Sequence, residues 1–525
     1  MDYLDYVQMT KTQRFAYKLK SFFMGIPRAI VGFFKMIGLI IKKFFVGIGR
    51  FFKNYGVRFA KGDIGTKLSY VFMGVGNIFH GQIMKGILFL AAEIGYVCFM
   101  IFFGAHYISR IYTSKMVRID WKPFAYEMAD KSTNVSLYKY GSGAIGKEVA
   151  EVAKDTYKGD YVYNPNTQDD SSKILLFFIL TMIVTIAFIA LYIANTKSAY
   201  ETQQIRAEGK KPDSFGQDVH NYFDSRFHIT LLFLPILLLV IFNILPIIFT
   251  IFMAFTNYDK NHQSPVKLYQ WVGMKNFADV FYSDAKKSTT FGLILVWTLV
   301  WAFFATFTNY ILGIIVALLI NKKGIKFKGF WRTMFVVTAA VPQFVTLLVM
   351  RLLLDNKSGA INNALGTSYP FLTDWARVTI IIVNIWIGIP FTMLMTSGLL
   401  MNIPEDLYES ARIDGANAFQ QFTKITFPYI FFVTTPYLIT TFVGNINNFN
   451  VIFFLTNGGP EDPTKYAQKA GETDLLVTWL YKLTVDEQNY RLAAVIGILV
   501  FIVCAIGSLI AFNMSKASKN EEEFS

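Results

Sequence analysis

Eight apolar stretches, each about long enough to cross a bilayer, constrain this chain more than anything else. They fall at 87–107, 174–194, 229–255, 291–320, 333–354, 378–400, 429–455 and 492–512. A spanning helix needs ~20 apolar residues, and a helix satisfies every backbone polar group inside its own segment. The expected fold class is therefore all-α, a polytopic membrane bundle of about eight transmembrane helices. A bend is expected in the third stretch at Pro235 and Pro246, and the fifth and sixth contain Pro342 and Pro390. Only 16% of the 525 residues are charged, where soluble domains carry about a quarter. The two cysteines, Cys98 and Cys504, both lie in apolar stretches, so no disulfide framework is indicated.

Charge sets the expected orientation. Residues 1–62 carry twelve Lys or Arg and two Asp, and aromatic pairs alternate with basic residues from Phe22 to Phe59. The apolar runs there are too short to span. Residues 1–80 are read as a cytoplasmic region with an amphipathic helix lying in the interface, its Lys and Arg reaching for headgroups. The net charge of +14 fits cytoplasmic loops and anionic membrane lipid rather than nucleic acid. The acidic start has no signal-peptide shape, so an early span is expected to act as an uncleaved insertion signal. Lys322, Lys323, Lys326, Lys328 and Arg332 crowd one short loop, which also belongs inside. Both termini are then cytoplasmic, and 110–172 is an external insertion between two peripheral spans within 87–194. The remaining divisions are a core at 227–514 and a cytoplasmic tail at 515–525. Glu93, inside the first span, reads as a hydrogen-bonded carboxyl or, less simply, as a proton-relay group.

Between the sixth and seventh spans lies a polar, amphipathic stretch, 402–428. Pro404 suits a first helical turn, and Glu405 and Asp406 complement its positive end. Gly415 permits a left-handed turn, and Asn417 can cap a second helix in which Phe419, Phe422 and Ile425 share a face. Glu409-Ser410-Ala411, Gly415, Ile425 and Phe427-Pro428 resemble the EAA loop of bacterial ABC importer permeases, with Ser410 and Phe427 departing mildly from it. The resemblance implies coupling helices that dock on an ATPase subunit, with Glu409, Ser410, Ala411, Asp414, Gly415, Phe419 and Phe422 at the contact. It also implies a type I ABC importer permease core.

Two spans carry polar faces. Asn384, Ile387, Gly388 and Phe391 fall at i, i+3, i+4 and i+7, as do Thr441, Asn445 and Asn448 at i, i+4 and i+7. Buried amides must find partners, either a hydroxyl-rich ligand or a neighbouring helix. The runs 382–391 and 445–449, with Leu455-Thr456-Asn457-Gly458-Gly459-Pro460, resemble the MalF-type permease of maltose/maltodextrin importers. In that family the sugar sits midway across the membrane in this subunit. Carried over by position, the binding residues are those two faces and Gln343. Ala339, Gln343 and Phe391 depart from the best-known member, which leaves the exact sugar open.

The resemblance implies a permease for an oligosaccharide, maltose or maltodextrin, that is not itself an enzyme. Its partners would be a second homologous permease, an ATPase dimer and an extracytoplasmic sugar-binding protein. No phosphate-binding loop occurs in the sequence, so ATP and Mg are expected on the partner ATPase, with no cofactor or metal here. Two other readings stay open. One is a permease for another glycan or a glycerol-phosphate-type solute. The other is an ion-coupled secondary transporter, which the coupling loop argues against and Glu93 alone favours.

Overall fold

The computed structural model describes residues 38–39, 42–43, 45–112, 122–123, 161–162, 171–262, 269–322 and 324–514. Most of the first part of the basic N-terminal region, the bulk of the 110–172 insertion and the 515–525 tail lie outside the described residues. The described chain is helical apart from short pairings. Lys122–Pro123 and Tyr161–Val162 form a two-strand antiparallel ribbon within the insertion, and isolated bridges join Thr256 to Trp271 and Glu461 to Gly471.

Among the described residues seven helices are long and apolar enough to cross a membrane, and an eighth span is counted if one bent pair is a single crossing. The described residues form two compact units, one from within 40–276 with 489–494, the other from 38–39, 277–488 and 495–514.

In the first unit, α1 (45–61) is helical. It leads into two short helices, α2 (Ile64–Leu68) and α3 (Val75–Phe79). The spans α4 (Ile83–Ile111), α5 (Ser171–Ala207) and α6 (Phe227–Met253) follow. Asp63 caps α2 by accepting from the Thr66 N–H at 2.7 Å. Glu93 of α4 accepts from the Met73 N–H at 2.8 Å, which is the hydrogen-bonded role rather than a relay. Residues 63–82 form a folded hairpin lying along α4 and α5. No side chain of helix α6 is fully buried among the described residues, though Leu245, Ile248, Phe249 and Phe252 of its second half pack in part on Leu175, Ile179 and Tyr269.

The second unit is built on α7 (Ala285–Asn321) and α10 (Ala376–Leu400). Asp284 caps α7 through the Lys287 N–H at 3.1 Å. Small residues set the spacing, because a Cβ on Gly313 would press into Thr392 and one on Gly388 would overlap the Asn309 amide. Trp297, Trp301, Leu347, Ile380, Val383, Val451 and Leu455 form the main apolar cluster. Tyr310, Ile314, Ile430 and Leu438 form another, with the Tyr310 hydroxyl and Thr434 Oγ1 2.7 Å apart in its midst.

Two expected spans are broken. The fifth is α8 (Lys328–Ala340) and α9 (Gln343–Leu353), which meet at 83°. Pro342 sits extended at the break, with φ −54° and ψ 127°, and proline disfavours a helical residue before it. The seventh was expected to run from 429 to 455. Instead α12 (Ala418–Ile446) begins in the coupling stretch and passes through a π turn at Phe422–Thr426. It stops at Asn447, and α13 (Phe449–Thr456) restarts behind Asn448. The cause is local: the Asn448 side chain accepts from the Val451 N–H at 3.3 Å and caps the new helix. The unit is completed by α11 (Glu405–Ile413), α14 (Leu476–Val485) and α15 (Tyr490–Met514), the last beginning in the other unit.

Candidate functional site

A cavity of about 250 Å³ opens at the α8–α9 break beside Pro342. It lies where α8 turns into α9 and where α10 passes Pro390. Thr338, Pro342, Gln343, Thr346, Trp386, Ile387 and Phe391 line it. Its described lining residues carry no charge. Trp386 is 57% exposed and Phe391 54%, so two aromatic faces stand open beside three polar side chains. That combination of flat apolar surface and a few fixed polar groups is how small polar ligands are oriented. Gln343, in the first turn of α9, accepts from Asn450 Nδ2 at 3.4 Å.

Of the face expected on α10, Ile387 and Phe391 reach this cavity. Gly388 faces the Asn309 side chain of α7. Asn384 is buried, and its Nδ2 finds no partner among the described residues. Asn309 Oδ1 is likewise buried without one. The other face is divided by the helix break. Thr441 is half-buried on α12. Asn445 is buried and donates from Nδ2 to Thr306 Oγ1 of α7 at 3.0 Å. Its Oδ1 accepts from Asn448 Nδ2 at 3.3 Å, and its carbonyl accepts from Trp301 Nε1 at 3.1 Å. In this conformation the Asn445 amide ties helices together. Trp386 and Asn309 were not singled out by periodicity. A tryptophan two residues from Asn384 within the polar-faced span was the available signal for the first.

The coupling stretch is set by local chemistry throughout. Helix α11 carries Glu405 and Asp406 in its first turn and Arg412 in its last. The Gly415 N–H donates to the Arg412 carbonyl at 3.0 Å and the Ala416 N–H to the Ala411 carbonyl at 2.8 Å, the paired bonds of a Schellman end. Gly415 takes φ +76°. Asn417 and Gln420 then form a reciprocal capping box, both bonds 2.9 Å. Tyr408 and Thr426 bridge the two helices at 2.8 Å. Glu409, Ser410 and Asp414 are exposed and Ala411 is half-buried. Phe419 is 74% exposed, whereas Phe422 packs into the Tyr310 cluster, so the two do not share a face. Ile413, 86% exposed, joins Phe419 and Leu407 as apolar surface that needs a cover.

Gly415→Val tests the elbow. Nothing lies within 4 Å of the added Cβ, so the penalty is purely backbone, about 1–3 kcal/mol for a β-branched residue at positive φ. The expected result is normal membrane insertion with weakened ATPase docking, read by co-purification of the two subunits. Undiminished co-purification together with full substrate-stimulated ATP hydrolysis would reject the coupling role.

Comparison with known proteins places this architecture. Residues 309–517 match the family described as binding-protein-dependent transport system inner membrane component. The chain is 36% identical over 361 residues to the galactooligosaccharides transport system permease protein GanP of Bacillus subtilis (strain 168), covering 67% of this chain and 85% of that protein. It is 37% identical over 371 residues to the maltodextrin transport system permease protein MdxF of the same organism, covering 68% and 84%. To the maltose/maltodextrin transport system permease protein MalF of Escherichia coli (strain K12) it is 37% identical over 251 residues, 46% and 48% of the two chains. With helices that cross the membrane several times, a proline-kinked core and an elbowed loop between two of its spans, the chain belongs to the family of binding-protein-dependent transport system inner membrane components.

Proposed function

We propose that this chain carries an oligosaccharide of the maltodextrin class through the membrane, with Gln343, Ile387, Phe391 and the Asn384, Gly388, Thr441, Asn445 and Asn448 positions forming the sugar path. One observation carries the reading: an uncharged cavity at the break between α8 and α9, beside α10, presents Trp386, Phe391 and Gln343 together. Pyranose rings offer apolar faces for aromatic side chains and hydroxyls for amides. A glycerol-phosphate-type solute would call for a cation to hold its phosphate, and the described lining has none. A galactooligosaccharide is the second reading, favoured by the 36% identity to GanP.

The same reading assigns the partners. An extracytoplasmic binding protein delivers the sugar. A second permease covers the apolar surfaces this chain leaves open, α6 among them. An ATPase pair holding ATP and Mg docks on 402–428 through Glu409, Ser410, Ala411, Asp414, Gly415, Phe419 and Ile413. The basic N-terminal region and the 322–332 loop face the cytoplasm.

The test is uptake by the reconstituted complex with its binding protein, maltodextrins competing against galactooligosaccharides. Phe391→Ala should lower the saturated uptake rate per complex about tenfold, equivalent to ~1.4 kcal/mol, with basal ATP hydrolysis retained. Uptake of neither sugar by the unaltered complex, or an unchanged rate in the variant, counts against the assignment.

A further inference from the structure

Residues 63–82 are built inside out for water. Thr66, Ser69 and Asn77 are buried at 0% exposure and His80 at 6%, Asp63 and Lys67 stay exposed, and Val71 is 63% exposed, Phe72 55%, Ile64 76% and Phe79 61%. The two short helices α2 and α3 form the arms of a hairpin whose tip is residues 69–74. At the open end, the Asp63 N–H donates to Gln203 Oε1 at 3.1 Å, and Arg206 donates to the Phe79 carbonyl at 2.7 Å. At the tip, the Tyr192 hydroxyl donates to the Tyr70 carbonyl at 2.7 Å, and Glu93 accepts from the Met73 N–H at 2.8 Å.

Helical rise converts those partners into depth. Gln203 to Tyr192 is ~16 Å along α5, and Ile83 to Glu93 is ~15 Å along α4. The tip therefore lies level with Glu93, six residues inside the apolar stretch 87–107 of α4, and with Tyr192, at the end of the apolar stretch 174–194 of α5. Basic residues gather at the other end, with Arg58 and Lys61 before the hairpin and Arg206 beside it. That is the pattern of a segment rooted among anionic headgroups.

We infer that residues 63–82 are a re-entrant hairpin, with Val71 and Phe72 turned against lipid acyl chains in the leaflet where α4 begins. Backbone that is not helical survives at membrane depth only when its polar groups are paired within the protein. Most pairings at this tip are supplied, the Val71 and Met73 carbonyls excepted among the described residues. Asn195 accepts from the Gly74 N–H at 2.8 Å and donates to the Ser69 carbonyl at 3.0 Å. Ser69 Oγ accepts from the Gly76 N–H at 2.6 Å. Gly74 lies so close to α4 that a Cβ would overlap the Gly86 carbonyl. An intramembrane carboxyl is costly, and Glu93 offsets that cost by closing the turn.

Spin labelling of the full chain in its reconstituted complex tests this. The background carries Cys98→Ser and Cys504→Ser, and the label sits at Phe72→Cys or, in a second sample, Val71→Cys. Lys210→Cys gives the aqueous reference and Phe102→Cys, on a residue 83% exposed on α4, the lipid reference. The expected label collides with oxygen as Phe102→Cys does and is shielded from a water-soluble nickel chelate. Access to nickel matching Lys210→Cys overturns the proposal. Shielding from both reagents also overturns it, since another protein surface then covers the tip. Glu93→Leu should open the tip to nickel, while Glu93→Gln, which keeps an acceptor, should not. Equal behaviour of the two would remove Glu93 from the device.

Discussion

Asn445→Leu is expected to lower uptake per assembled complex by ten- to a hundredfold. The amide sits at 8% exposure and is hydrogen-bonded to Thr306 and Asn448. Its second N–H and second lone pair remain for a passing hydroxyl. Leucine preserves the volume and removes every one of those groups. A buried polar partner left unpaired costs roughly 1–3 kcal/mol, up to about a hundredfold in affinity. The same substitution also frees Thr306, so some loss of assembly is expected regardless of any sugar. Thr306→Val separates the two effects, because it cuts the same tie from the α7 side and leaves the amide in place. It should reduce assembly as Asn445→Leu does and leave uptake per complex intact. If Asn445→Leu matches Thr306→Val in both measurements, Asn445 is a tie between helices and the binding role falls.

That ambiguity shows which parts of the site sequence could express. The elbow was legible because its causes are local. Gly415 at φ +76° and the Asn417–Gln420 box each need only residues within one turn. The spans were legible because hydrophobic length needs no partner. The polar faces were harder. Periodicity places Thr441, Asn445 and Asn448 on one face only if one helix runs through them, and Asn448 itself ends that helix by capping the next. An asparagine suits a polar face, a cap and an interhelical bond alike, and spacing does not distinguish these. Gly388 shares a face with Asn384 by spacing, yet its missing Cβ is needed by Asn309 on another helix. Likewise Glu93 could be assigned to backbone only once Met73 was beside it. Long-range pairings of this sort leave no periodic trace.

Lys482→Met is expected to destabilise the segment between α13 and α14 by about 3–5 kcal/mol, the usual consequence of removing one partner from a buried ion pair. Lys482 is 3% exposed and Asp474 0%, with Nζ and Oδ2 2.9 Å apart. Burial pushes the Asp474 carboxyl upward, and the Lys482 ammonium, the Gly471 N–H and the Thr478 hydroxyl work against that. Methionine takes away the strongest of these while the carboxyl stays enclosed. Asp474 cannot swing out easily, since it fills the space a Cβ would need at Gly458. The consequence extends beyond the segment itself. Its Thr473 carbonyl accepts from Trp297 Nε1 of α7 at 3.1 Å, and its Glu472 carbonyl accepts twice from Arg377 of α10, at 3.1 and 2.9 Å. Arg377 in turn lies 4.8 Å over the Trp297 ring. Loosening the segment therefore frees the start of α10, which lines the candidate cavity, and the Trp297 level of α7. Hydrogen exchange of residues 457–485 in the purified complex should rise sharply in Lys482→Met. Asp474→Leu with Lys482→Met should recover most of the protection, because an apolar pair carries no stranded charge. A double variant as unprotected as the single one would mean that the segment depends on the Gly471 and Thr478 bonds to Asp474, not on the ion pair.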